Sequence, residues 1–246
     1  MTVNDRSARA GAAAVVLAAG SGTRLGAEQN KVFLPLAGRP VVSWSLRCFA
    51  RVPAIDRLLL VIREADRELA VRTVNRDVDR DVEIVVGGSN RHESEMAALQ
   101  QLSAAIEDGS ISLILLHDAA RPIITPGMTT ALMAEAARTG AVIPALERDD
   151  IRPINDDGTM RLLPARTFVA AQTPQVFDAR GLWSAYRRAD RDGFVGTDTM
   201  SCFQRYHPGR GSWWPGDPRN LKITFPDDMI EAERFLATAP AGRDCS

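Results

Sequence analysis

From residue 13 to about residue 147, short apolar runs alternate with segments of helical period, and this alternation is what most narrows the fold. It predicts strands at Ala13–Ala18, Arg57–Ile62, Val82–Val86, Ile111–His117 and Ala141–Leu146. Between them it predicts helices at Val41–Arg51, Ala65–Asn75, Arg91–Glu107 and Pro126–Thr139. The expected class is α/β, a Rossmann-like doubly wound sheet that is mostly parallel. In such sheets ligands bind beyond the carboxyl ends of the strands, so the turns after strands are where chemistry is expected.

The alternation stops between Asp149 and Ala171, where the turn Asn155-Asp156-Asp157-Gly158 sits between short extended pieces. That pattern predicts a protruding β-hairpin arm, serving as a dimer arm or a lid. Helical period returns at Ala179–Arg191. His207–Pro218 then reads as loop with an edge strand, Asn220–Thr224 as a closing strand, and Pro226–Leu236 as a helix started by Pro226, Asp227 and Asp228. One domain over residues 1–240 is expected, with 149–171 as the excursion and 241–246 as a frayed tail.

Composition removes several classes of function. A net charge of −1 and a pI near 6.3 give no field to hold a polyanion, so no nucleic-acid partner is expected. No apolar stretch approaches a membrane span, and Met1–Ala10 lacks the apolar centre of a leader, which points to a cytoplasmic protein. Cys48, Cys202 and Cys245 have neither the number nor the spacing of a disulfide framework or zinc site. Among 30 basic residues only Lys31 and Lys222 are lysine. In a chain that uses arginine wherever a generic cation suffices, a retained lysine marks a place that needs a compact ammonium.

The first strand runs into Leu17-Ala18-Ala19-Gly20-Ser21-Gly22-Thr23-Arg24-Leu25-Gly26, where small residues let backbone N–H groups approach an anion. The glycines do not match G-x-G-x-x-G, since the third comes one residue late and Arg24 stands inside the loop, so a nicotinamide-dependent dehydrogenase is disfavoured. A P-loop would need Gly-Lys-Ser/Thr, which is absent. Two cations, Arg24 and Lys31, beside a glycine loop suit a triphosphate. Asp118, after the fourth strand, can hold a Mg²⁺ that bridges phosphate oxygens, against the commoner role of a turn cap. His117 reads as a strand-end imidazole without metal-ligand spacing to His92 or His207. Gly87-Gly88-Ser89-Asn90-Arg91-His92-Glu93-Ser94 follows the third strand, where backbone groups and a hydroxyl can read a base edge or cap a helix.

Together these blocks resemble the cytidylyltransferases that activate sugar-alcohol phosphates, most closely the 2-C-methyl-D-erythritol 4-phosphate cytidylyltransferase family. The resemblance covers about residues 13–236. It rests on Ala18-Ala19-Gly20-x-Gly22-x-Arg24-x-Gly26 with Lys31, Gly87-Gly88-x-x-Arg91-x-x-Ser94, His117-Asp118-Ala119-Ala120-Arg121-Pro122, Gln172-Thr173-Pro174-Gln175, Thr197-Asp198, and Leu221-Lys222-Ile223-Thr224 before Pro226-Asp227-Asp228. Both lysines fall on motif positions. The resemblance implies a nucleotidyltransferase fold and in-line attack of an acceptor phosphate on the α-phosphorus of CTP, with release of pyrophosphate. It implies that Arg24 and Lys31 grip the triphosphate and that Lys222 approaches the α-phosphate and the acceptor. Asp118 would support Mg²⁺ or Mn²⁺ with Asp217 beside it. Ala18, Ala19, Gly20, Ser21, Gly22, Gly88, Ser89 and Ser94 would frame the nucleotide, and Arg121, Thr173, Asp150 and Arg166 would face the acceptor. It further implies a homodimer in which the arm completes the neighbour's acceptor pocket.

Several positions depart from the family. Asn30 stands where a Pro precedes the loop lysine, and Thr199-Met200 follow Thr197-Asp198 in place of a second acid and Ala. In the arm, Asp149-Asp150-Ile151-Arg152 replaces Asp-Thr-Ile-Lys, which adds like charge near the acceptor phosphate. The departures keep two alternatives open: a cytidylyltransferase for another acceptor, ribitol 5-phosphate or a phosphonate, and a nucleotide-binding protein without catalysis.

Overall fold

The computed structural model describes residues 10–20, 30–151, 157 and 168–238. In its first half the elements are β1 (Gly11–Leu17), β2 (Pro35–Leu36), β3 (Arg39–Pro40), α1 (Val41–Ala50), β4 (Ile55–Ile62), α2 (Arg67–Asp77), β5 (Glu83–Val86), α3 (Arg91–Glu107) and β6 (Ile111–Asp118). There follow α4 (Pro126–Thr139), β7 (Ala141–Arg148), β8 (Phe168–Ala171), β9 (Gln175–Asp178), α5 (Ala179–Asp192), α6 (Thr199–Tyr206), β10 (Ser212–Pro215) and α7 (Pro226–Thr238).

β1 lies inside an eight-stranded sheet of order β10-β7-β9-β6-β1-β4-β5, with β8 paired to β7. Ala12, Ala14 and Val16 of β1 join one core cluster and Ala13 and Val15 the other, so period-2 alternation divides one apolar run between two buried faces. On the first face α1, α2 and α4 contribute Leu46, Val74 and Leu132; on the second α3, α5 and α6 contribute Leu99, Leu182 and Phe203. From β1 the chain winds outward through β4 and β5, then returns to β6 on the other side of β1, with all these pairings parallel. That reversal is a topological switch point, and it opens a crevice at the carboxyl ends of β1, β4 and β6.

The structure corrects the expected closing strand at Asn220–Thr224, which joins no sheet. Its apolar alternation packs Ile223 beside Leu36, Val41 and Trp44 in a third cluster, and Ile223 N–H donates to the Ala120 carbonyl at 2.8 Å, a tether in place of a ladder. Two antiparallel strands enter the parallel sheet instead: β9 pairs with β6 and with the start of β7, and β8 with the end of β7. A helix not anticipated from periodicity, α6, begins at Thr199. Of the expected hairpin arm, 152–156 and 158–167 lie outside the described residues, as does the tail.

Candidate active site

At the switch point a cleft of about 600 Å³ is lined by Ala18, Ala19 and Gly20 after β1, Lys31, Arg63 after β4, Gly88, Ser89, Arg91 and Ser94 around the start of α3, Asp118 ending β6, and Lys222. The two lysines of the chain, far apart in sequence, thus share one cavity. Gly87 holds the β5–α3 turn close to the first loop: a Cβ there would stand 2.6 Å from Ser94 Oγ and 2.9 Å from Ala19 Cβ. Asn30 fixes the far end of that loop, donating to the Ala18 carbonyl at 2.8 Å and to Asp66 Oδ2 at 2.9 Å. The departure from Pro at this position therefore supplies a buried clamp.

Asp118 is the electrostatic centre. Lys222 Nζ donates to its Oδ2 at 2.7 Å, and an Arg91 guanidinium nitrogen takes Oδ1. Burial alone would raise the carboxyl, but Arg91 and then Lys222 hold it well below the usual carboxylate range, so Asp118 is ionised at neutral pH. Arg91 also donates from Nε to Glu95 Oε1 at 2.9 Å, one helical turn further along α3. Burial would lower Arg91, yet Asp118 and Glu95 hold it above its ordinary value.

Beneath Asp118 lies a directed hydrogen-bond chain. His117 Nε2 is 3.0 Å from the Arg121 carbonyl, which only accepts, so that nitrogen carries the ring proton and Nδ1 accepts from Thr173 Oγ1 at 2.9 Å. Thr173 Oγ1 in turn accepts from the Asp118 N–H at 3.0 Å. Burial pushes the imidazole down to about 4, which keeps His117 neutral. The Thr173 hydroxyl proton is thus directed into the core. Arg121 donates to the carbonyls of Asn220 at 2.6 Å and Ala171 at 3.3 Å. Gln172 donates to the Asp217 carbonyl at 2.8 Å, and Asn220 to that of Thr173 at 2.8 Å. Through these bonds the Gln-Thr-Pro-Gln turn carries the segment that delivers Lys222 to Asp118.

Of the residues expected to frame a nucleotide, Ala18, Ala19, Gly20, Gly88, Ser89 and Ser94 line this one cleft, while Ser21, Gly22 and Arg24 lie outside the described residues. Ser89 donates from N and Oγ to Glu93 Oε2 at 2.7 and 2.8 Å, and Asn90 caps α3, so this segment is at once a helix start and a cleft wall. Arg121 and Thr173 sit behind the cleft lining. Arg166 lies outside the described residues. Asp150 is paired with Arg148 at 2.7 and 2.5 Å, which offsets the charge that the arm departure introduces. Arg63, Arg91, Asn30 and Glu95 received no role from the sequence. Arg63 follows a strand end and Arg91 stands in a quoted block, so position signalled both; a buried acid on a helix carried no such signal.

The donor set fits a divalent cation that arrives with phosphates. Asp118 is an ionised hard oxygen donor in the cleft wall, and Mg²⁺ typically takes one or two carboxylates and completes its shell with substrate oxygens and water. Among the described residues no group of three or more His, Cys, Asp or Glu builds a cage. Asp217 does not line the cleft, and its carboxylate is taken by Arg219 at 2.6 Å.

Comparison with known proteins gives one consistent answer. The family model described as 2-C-methyl-D-erythritol 4-phosphate cytidylyltransferase matches residues 12–238. A protein of that name from Syntrophotalea carbinolica is 36% identical over 227 residues, covering 91% of this chain and 95% of the relative. One from Solibacter usitatus is 37% identical over 237 residues, covering 91% and 95%. The crystal structure of 4-diphosphocytidyl-2C-methyl-D-erythritol synthase from Anaerococcus prevotii superposes with a TM-score of 0.80 at 28% identity, covering 92% of this chain and 98% of that one.

Proposed function

The chain belongs to the 2-C-methyl-D-erythritol 4-phosphate cytidylyltransferase family, and from that premise we propose how its cleft performs the reaction. It is a CTP-dependent cytidylyltransferase that moves CMP to the phosphate of 2-C-methyl-D-erythritol 4-phosphate, a step of isoprenoid precursor synthesis. An acceptor phosphate oxygen forms the new bond to the α-phosphorus as the bond to pyrophosphate breaks. The acceptor is already anionic, so no protein nucleophile is required. What the protein must do is hold two polyanions in line and offset the charge that gathers at the α-phosphate.

The observation that supports this reading most is the convergence of Lys31 and Lys222 on one cleft, with an ionised Asp118 bonded to Lys222. Lys31, with Arg24, holds the triphosphate. Lys222 rests on Asp118 Oδ2, which directs its ammonium into the cleft, and exchanges that partner for phosphate oxygens when substrates bind. Ala18, Ala19, Gly20, Ser21, Gly22, Gly88, Ser89 and Ser94 frame the nucleotide, with Ala19 and Gly88 leaving room for a base. Arg121 and Thr173 set the acceptor side through the backbone they anchor, and Asp150 and Arg166 are the further residues assigned to the acceptor. Asp118 would hold Mg²⁺, or Mn²⁺, which when bound with the triphosphate lowers the negative charge on its oxygens; Asp217 has the weaker claim.

We also infer a homodimer through the 149–171 arm, working in the cytoplasm on CTP and a small phosphorylated acceptor. No helix among the described residues is long and apolar enough to cross a membrane. Pyrophosphate release with CTP and Mg²⁺ tests the reading against a panel of acceptors. Turnover with 2-C-methyl-D-erythritol 4-phosphate well above that with ribitol 5-phosphate or 2-aminoethylphosphonate is expected; the reverse order would reassign the acceptor, and silence with all three would remove catalysis.

A further inference from the structure

Glu95 lies on α3 with its side chain almost wholly buried; burial pushes its carboxyl above the usual range while Arg91, Tyr186 and Thr199 act against that, so this is an unusual place for an acid unless Arg91 needs it. Its Oε1 accepts from Arg91 Nε at 2.9 Å and from Thr199 Oγ1 at 2.7 Å, and its Oε2 accepts from the Tyr186 hydroxyl. Tyr186 is itself held by His92, whose ring stacks on it at 4.6 Å and 12°. The far side of Arg91 takes Asp118 Oδ1, and Lys222 takes Oδ2. One continuous path of hydrogen bonds and ion pairs therefore runs from α5 and α6 through Glu95, Arg91 and Asp118 to Lys222, with both carboxylates buried, Arg91 about one-third exposed and Lys222 about half exposed.

We propose that Glu95 is a positioning residue for cytidylyl transfer: it draws one edge of the Arg91 guanidinium into the core, so that Arg91 engages a single oxygen of Asp118 and leaves the other to Lys222. Arg91 has a planar fork able to take both oxygens of a carboxylate at once. Anchored by Glu95 through Nε, it presents one corner. Released from Glu95, it closes on Asp118 bidentately and takes the resting partner of Lys222, or it turns into the cleft toward the triphosphate and leaves Asp118 to hold Lys222 alone; either outcome changes how the lysine meets phosphate. Thr199 belongs to the same device. Its hydroxyl stands 2.7 Å from the Glu95 carboxylate, so an acid at 199 with a short apolar residue at 95 would bring a carboxylate to the same side of Arg91 from α6. The family's acid at position 199 and Glu95 here, with Thr199 as its donor, are then two ways of supplying one carboxylate to Arg91.

The inference rests on the cytidylyltransferase reading, and wild-type turnover of CTP with 2-C-methyl-D-erythritol 4-phosphate, measured first, tests that reading separately. The positioning role is tested with Glu95→Gln, Glu95→Val and the exchange Glu95→Val with Thr199→Glu, reading kcat, KM for CTP and thermal midpoint of the full chain. The expected result is a fall in kcat of about tenfold or more for each single variant, KM for CTP within about threefold, and recovery of most of kcat in the exchange variant. Tyr186→Phe and Thr199→Val, which remove one donor and keep the charge, should lose only about two- to fivefold in kcat. Wild-type kcat in Glu95→Gln would overturn the proposal. So would a uniform loss across Glu95→Val and the exchange variant that follows their folded fraction, since a purely structural acid gives no rescue at constant KM.

Discussion

Asp118 shows how little of a site is settled by residue type alone. As a carboxylate after a strand it can cap a turn, hold a metal or pair with cations, and here its backbone N–H serves the turn while its side chain divides between Arg91 and Lys222. The block His117-Asp118 was legible as a site because it ends a central strand. That the Thr173 hydroxyl proton goes to His117 was not, since it depends on the carbonyl of Arg121 fixing the tautomer. The neutral His117 has a stability consequence whose sign follows from its pKa, about 4 in the fold against 6.5 ordinarily. Below pH 6.5 the unfolded chain takes a proton that the folded chain refuses, so this contribution is full above 6.5 and is lost as pH falls toward 4, to the extent of about 3 kcal/mol. Urea unfolding at several pH values should show a steeper loss over that window for the wild type than for His117→Gln, and parallel curves would refute it.

At the scale of elements, long runs with both faces buried were readable, because β1, β4 and β6 leave no polar face to confuse the period. Short elements were not. β8 and β9 have four residues each and flank Pro174, and α6 starts at the Thr197-Asp198 block, whose Asp198 accepts from Ser201 N–H at 2.8 Å while Ser201 Oγ accepts from Asp198 N–H at 3.1 Å. That block works as a capping box, so a signature that carries the family resemblance is also a helix start. Conversely, Leu221-Lys222-Ile223 alternates like a strand yet serves as a tether. Two substitutions test the elements that shape the cleft wall around the start of α3. Gly87→Ala should raise KM for CTP by about tenfold, because its Cβ has to displace Ser94 or Ala19 and shift the turn between β5 and α3. Asn90→Ala removes the α3 cap, whose Oδ1 accepts from Glu93 N–H at 2.9 Å, and should lower unfolding free energy by about 1 kcal/mol in a denaturant titration.

In the whole molecule, the sheet order decides what meets what. Winding from β1 outward to β5 and back to β6 puts the residues after β1, the β5–α3 turn and the end of β6 around one crevice, and Lys222 reaches it from the far end of the chain. Arm and dimer belong to this scale as well. Light scattering should return twice the chain mass of 26.8 kDa, and a monomer at assay concentration that remains fully active would remove the arm from the acceptor pocket. The central claim is that topology brings the chain's two lysines together because each must present a compact ammonium to phosphate. The most direct test is Lys222→Arg, which preserves charge in a chain that otherwise uses arginine freely, with kcat from pyrophosphate release read beside CTP affinity. A fall of about 100-fold in kcat with CTP affinity within about threefold is the expected result. Wild-type kcat with arginine at 222 would contradict it.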